Sequence, residues 1–267
     1  DVVSLATLEN RSIVAMGLSE LRNPTHRHKP GLQALLDVSG IQDSWVTAQH
    51  VGYQIAPRIN AAGRMHLAST VVELFHATSQ QRARELAQML DVQNRDRQDV
   101  QKKMLTMAQS QIPTTLPHFL VIRGKERDGW HRGVVGIVAG RLRDAHHRPT
   151  AIISISEDGA RGSIRSTPNV HAVQALEYCS DLLQKFGGHP AAAGFSVAPQ
   201  NIPALSKRLD EYVRCRLRED ELIPERVFQA SSEASSIDMS VARSLERLGP
   251  FGKDNPEPLI WLKNAKV

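Results

Sequence analysis

The chain has 267 residues, 41% hydrophobic and 23% charged, with 33 basic and 28 acidic side chains for a net charge of +5. These are the proportions of an ordinary globular protein with length for about two domains, and the mildly basic balance fits a polyanionic partner without requiring one. Only Cys179 and Cys215 are present, in no CxxC spacing; this argues against a disulfide framework or a thiolate zinc site and fits a reducing, cytoplasmic setting. No apolar run reaches the ~18 residues of a membrane span, and no signal peptide is visible.

The chain opens on Asp1 rather than Met, in "DVVSL", and reads as a fragment of a longer protein. Its first part has helical periodicity. "KPGLQALLDVSG" starts with Pro-Gly, carries Leu32, Leu35 and Leu36 on one side, and stops at Gly40. "SWVTAQHVGYQI" has its own apolar face and is expected to end at Ala56-Pro57, because a residue before proline disfavours helical backbone. "STVVELFHAT" is a short amphipathic helix. The stretch from Ser79 to Ile112 contains neither Gly nor Pro, is densely charged, and reads as one long, partly solvated helix joining two lobes.

After Pro117 the pattern alternates. "HFLVIR", "PTAIISIS", "ARGSIRS" and "GFSV" read as strands. "HRGVVGIVAGRLRDAHH", "NVHAVQALEYCSDLL" and "NIPALSKRLDEYVRCRL" read as helices, with Asn169 a candidate N-cap for the second. That alternation predicts an α/β domain. From about Glu225 the period changes again, toward what reads as the start of an all-β module.

Four stretches carry candidate chemistry. In "KFGGHPAAAGFSV", Gly187 and Gly188 allow close backbone approach, and Pro190 suits a first helical turn. His189 would then stand at a helix N-terminus, where free N–H groups attract phosphate. The same residues also suit a Gly-Gly turn with a satisfied histidine, and the physics leaves both readings open. "APRINAAGRM" has the length of an irregular loop offering Arg58, Asn60 and Arg64 to phosphates, and contains no acid of its own. Strand alternation in "ARGSIRS" puts Arg161, Ser163 and Arg165 on one face. His131, beside Trp130, stands just before a helix, as a ligand contact or a cap. "DAHH" at a helix C-terminus and the basic loop "HRHK" are poor metal sites. A Walker loop, a nucleophile elbow and a dinucleotide GxGxxG are absent.

Taken together, "DVVSL", "APRINAAGRM", "WHRGVVGIVAGRL", "GSIRS", "KFGGHPAAAGF" and "LGPFGKDNPEP" resemble, in order, the RecJ single-strand-specific DNA exonucleases of the DHH phosphoesterase superfamily. The resemblance covers nearly the whole chain. Ser4, where the family usually has proline, and Ala56, where it has glycine, are small departures. The resemblance implies an α/β fold in four parts. Residues 1–78 would be the helical end of a DHH catalytic domain and 79–112 a connecting helix. Residues 113–222 would be a DHH-associated domain with a mixed sheet, and 223–267 the start of an OB-fold barrel.

The activity implied is metal-dependent 5′-to-3′ hydrolysis of single-stranded DNA, in repair and recombination. Asp1 would be a ligand to one of two Mn²⁺ or Mg²⁺ ions, the remaining ligands lying upstream, so the fragment alone should be nearly inactive. His189 would face the scissile phosphate. Arg58, Asn60, Arg64, Ser163, Arg165 and His131, with Gly187 and Gly188, would grip the backbone. Few base-stacking platforms are expected, since aromatic residues make up only 4% of the chain. A monomer acting on single-stranded DNA is expected, away from membranes, with single-strand-binding protein and helicases as partner classes. Two alternatives compete: an oligonucleotide or cyclic-dinucleotide phosphodiesterase of the superfamily, and a catalytically dead single-strand binder. "LGPFGKDNPEP" speaks against the first, since smaller relatives lack an OB domain.

Overall fold

The computed structural model describes residues 3–23, 29–41, 46–65 and 68–263, with side chains for all of these but 64 and 65. It divides into two units, residues 1–94 with 226–267, and residues 95–225.

The first unit is mainly helical. Helices α1 (Leu8–Arg22), α2 (Pro30–Val38), α5 (Ser69–His76) and the first half of α6 (Gln80–Gln109) bury one apolar cluster, including Leu18, Leu35, Leu36, Leu74, Leu86 and Leu90. The buried residues of α6 here (Ala83, Leu86, Ala87, Leu90) recur at three- and four-residue spacing, one stripe of a helix. Pro30 opens α2, and Gly40 closes it with a φ of 66°.

Between α2 and α5 the chain departs from the sequence expectation. Helix α3 (Ala48–His50) widens into a five-residue turn at Val51–Ile55 and continues as α4 (Ala56–Met65), so "APRINAAGRM" is helical and not an irregular loop. The wide turn ends with the Ala56 N–H donating to the Val51 carbonyl. Pro57 therefore falls in the first turn of the new segment. There its missing N–H is not needed and its fixed φ fits a helix.

The second unit is an α/β layer structure. Strands β1 (Leu120–Lys125), β2 (Thr150–Ser156), β3 (Gly159–Arg165), β4 (Leu183–His189) and β5 (Ala192–Val197) form one sheet in the order β1-β2-β3-β5-β4. β1 and β2 are parallel and the other pairs antiparallel, so the sheet is mixed. Helices α7 (Val135–His146), α8 (Ala172–Glu177) and α9 (Ile202–Arg214) cover it.

One face holds the main core. Ile153, Ile164, Phe195 and Val197 pack there against Leu176 of α8 and Leu205, Leu209 and Val213 of α9. Gly162 lacks a side chain because the Phe195 ring fills that space: a Cβ would sit 2.2 Å from its Cζ. Helix α7 lies over β2 and β3 on the other face. The N-cap of α8 is His171, whose ring accepts from the Gln174 N–H, and not Asn169, whose amide reaches the Glu221 carbonyl.

A second correction concerns "GGHPAAAGF". No helix forms there. β4 and β5 make a hairpin with a two-residue loop, Pro190-Ala191, closed by the pair His189–Ala192. The alanines are strand residues paired with β3, Ala192 to Arg165 and Ala193 to Ile164. Further down β4 the register shifts between Leu183 and Lys185, so Gln184 is an extra, bulged residue.

The C-terminal part of the first unit contains β6 (Ala230–Glu233), α10 (Met239–Glu246) and β7 (Ile260–Lys263), with β6 and β7 parallel. The loop from Gly249 to Asn255 is tied by the Asn255 amide to the Leu248 and Pro250 carbonyls, and Leu5 N–H donates to Lys253 O at 2.8 Å.

Candidate nucleic-acid interface

Cross-strand partners in antiparallel strands share a face. The register therefore lines up two rows of residues on the face opposite the main core. One row is Arg165–Ala192–His189 and the next is Ser163–Gly194–Gly187, running from β3 across β5 to β4. β5 supplies a floor of small residues. β3 supplies one wall, with Arg165 and Ser163, and β4 the other, with His189. The walls stand two strand spacings apart, about 10 Å. His189, Gly187 and Gly194 are exposed. The result is a shallow trough with donors on both sides and nothing bulky between them.

Helix α7 braces the β3 wall. A Cβ on Gly136 would lie 2.7 Å from Arg165 Nη2 and 3.1 Å from Ser163 Oγ, so a glycine is what lets the helix approach these side chains. Arg165 Nη1 donates to Ser163 Oγ and to the Ile164 carbonyl, both at 2.9 Å, which fixes the guanidinium along the wall. The segment before α7 lies by the same face: the Trp130 carbonyl accepts from Ser154 Oγ of β2 at 2.5 Å, and the indole lies against Gly124 of β1. His131 Nδ1 accepts from the Gly133 N–H at 3.0 Å, which in the neutral ring puts the proton on Nε2 as a donor.

Of the expected site residues, His189, Arg165, Ser163 and Gly187 meet in this trough, and His131 stands on the loop beside it. Gly188 does not border the trough. It has a φ of 151°, and a Cβ would lie 2.4 Å from the Ala192 carbonyl oxygen, so the hairpin itself requires glycine there.

Arg58 is placed differently again. In the first unit, its Nε donates to Asp91 of α6 at 2.9 Å, Nη1 to the Gln54 carbonyl at 2.6 Å and Nη2 to the Val38 carbonyl at 3.3 Å. The acid missing from its own stretch comes from 33 residues on, and the guanidinium is a structural tie instead of a free phosphate fork. Asn60, two residues further round the helix, is exposed. The Arg64 side chain and Asp1 lie outside the described residues.

Two features of the trough escaped the sequence reading, the glycine of α7 and the floor. A signal for the floor exists: Ala192, Gly194 and Ser196 alternate at period two. Among the described residues no group of three or more His, Cys, Asp or Glu could hold a metal ion. The one metal ligand expected within this chain, Asp1, lies outside the described residues. No described helix is long and apolar enough to cross a membrane.

Comparison with known proteins agrees with this fold. The DHHA1 domain family matches residues 116–214 and the RecJ OB domain family residues 229–267. The single-stranded-DNA-specific exonuclease RecJ of Bacillus subtilis is 35% identical over 260 residues, which cover 96% of this chain and 32% of that protein. RecJ of Salmonella typhimurium is 35% identical over 271 residues, covering 97% of this chain and 46% of that protein. The crystal structure of RecJ in complex with Mg²⁺ from Thermus thermophilus superposes with a TM-score of 0.83 at 32% identity, over 97% of this chain and 39% of that one. The Mn²⁺ complex from the same organism gives 0.81 at 31% identity, over 97% and 37%. The chain spans less than half the length of these relatives.

Proposed function

The chain belongs to the RecJ family over the span it shares with these relatives, and from that premise we propose that it supplies the substrate-binding wall of a single-stranded-DNA exonuclease. The observation that carries the reading is the trough: a floor of Ala192 and Gly194 between Arg165 and Ser163 on one side and His189 on the other. A phosphodiester backbone laid on that floor is reached by donors from both walls. Such contacts read charge and shape without reading bases. The trough is narrower than a duplex, which favours one strand over two.

In this reading His189 donates to the phosphate under attack, stabilising charge that develops on its oxygens. Arg165, held along its wall by Ser163, binds the same backbone bidentately. The exposed Asn60 and the Arg64 position are further backbone contacts of the first unit. Asp1, with residues of the whole protein, would hold the divalent metal ions, which would supply activation of the attacking water. The whole protein degrades the strand in the 5′-to-3′ direction, in repair and recombination.

The test is competition binding of this 267-residue chain to a labelled single strand. Expected is displacement by unlabelled single strand but not by blunt duplex, with affinity falling as salt rises, and little hydrolysis by the chain alone in Mn²⁺. Equal displacement by duplex, or affinity indifferent to salt, overturns the reading.

A further inference from the structure

The register places a third row on the open face, beyond the two already described: Arg161–Ser196–Lys185, again from β3 across β5 to β4. It repeats the layout of the Arg165–Ala192–His189 row, with a small residue on the floor and a basic side chain on each wall. Lys185 is exposed, and the Arg161 side chain retains 58% of its accessible surface. The row lies one pleat repeat along the strands from Ser163–Gly194–Gly187, about 6.7 Å. That is roughly twice the ~3.4 Å rise of a stacked duplex strand, the step of a backbone stretched and unstacked.

One feature sets this row apart. Arg161 is shared with an acid: its Nη2 lies 3.5 Å from Asp158 Oδ2, at the turn that joins β2 to β3. Both groups are well exposed, so the pair contributes little and exchanges readily for a stronger anion. A phosphate offers Arg161 the same charge with bidentate geometry. Arg132, paired with Glu126 at 3.8 Å, also acts on the Asp158 carboxylate, and the exposed Glu157 adjoins it in the turn.

We propose that Arg161 and Lys185 form a second phosphate seat for single-stranded nucleic acid, with Asp158 as its built-in competitor. This rests on the reading of the trough as a single-strand site. The seat holds a phosphate further along the strand than the one at His189, so it acts on strands long enough to reach it and leaves the shortest ones alone.

The test measures binding of the 267-residue chain to a thymidine dinucleotide and to longer thymidine oligonucleotides, by competition against a labelled strand. Lys185→Gln and Arg161→Gln are each expected to weaken the long strands about 3- to 10-fold and to lower the salt slope by about 0.7 for the lost phosphate contact. The dinucleotide should be unaffected. Asp158→Asn should act with the opposite sign and tighten long strands. Lys207→Gln, on the exposed side of α9 across the sheet, serves as the neutral control.

If the two basic substitutions weaken dinucleotide and long strand equally, or weaken neither, while Arg165→Gln still weakens both, the second seat is wrong and the trough stands. If Arg165→Gln is also silent, the trough itself fails and takes the second seat with it.

Discussion

Arg58 and Arg165 are both arginines of small-residue stretches, and they sit in opposite circumstances. Arg58 is enclosed between α2, α4 and α6, with Asp91 and two carbonyls taking up its donors. Arg165 lies along an open wall, anchored at one nitrogen by a neighbouring hydroxyl and its own strand. A charge surrounded by its own chain holds the fold together. A charge held along the edge of a floor of small residues stands where a ligand laid on that floor would pass. Local composition does not distinguish the two; the difference lies in the elements packed around each guanidinium, three helical segments at Arg58 and a sheet face with α7 at Arg165.

The sharpest break of this contrast is Arg58→Met. It removes the ion pair from the buried Asp91 carboxylate, and unfolding of the helical unit should become easier by about 3 kcal/mol. Denaturant titration followed by circular dichroism measures this. The double variant Arg58→Met with Asp91→Leu should recover much of the loss. A fully stable Arg58→Met would erase the distinction between the two arginines.

Next in size is His189→Ala in the full-length protein, where turnover should fall roughly 10²-fold if the ring stabilises charge in the transition state, with affinity nearly unchanged. An effect on affinity alone, read from single-turnover kinetics and binding side by side, removes the catalytic role. Arg165→Gln should do the converse, weakening single-strand binding and lowering its salt slope by about 0.7. Gly136→Ala should give a milder version of that loss, because the new methyl pushes on Arg165 Nη2 and Ser163 Oγ, the movable ends of side chains.

The smallest effect separates the inside of the main core from its exposed margin. Cys179 is buried in the main core, and burial pushes its thiol up to about 11, whereas Cys215 is exposed. A thiol held so far above neutrality stays protonated and unreactive. Alkylation at mildly alkaline pH should modify Cys215 alone in the native chain and both cysteines after denaturation. Rapid native modification of Cys179 would mean that the core face opens.

Much of this architecture is legible in the sequence. The long α6 follows from an uninterrupted Gly- and Pro-free run, and Ser163 and Arg165 share a wall because strands alternate. What stays hidden is non-local. Asp91 is too distant in sequence for any local pattern to pair it with Arg58. "HPAAAG" carries helix-forming alanines after a proline, and its strand state comes from pairing with β3, a tertiary preference that overrides a local one. Once that pairing is known, the small residues at 192, 194 and 196 become a floor; before it, they look like a packing stripe.

The bulge at Gln184 gives this arrangement room to vary. Strand positions alternate between faces, so an added or lost residue in a plain hairpin arm would roll every following side chain over. Here Leu183 pairs with Val197 and Lys185 with Ser196, and the surplus residue is taken up between them. Length changes in the segment leading into β4 can be absorbed at that point, as slack is taken up at a swivel, while the aim of His189, set from the hairpin end, stays where it is.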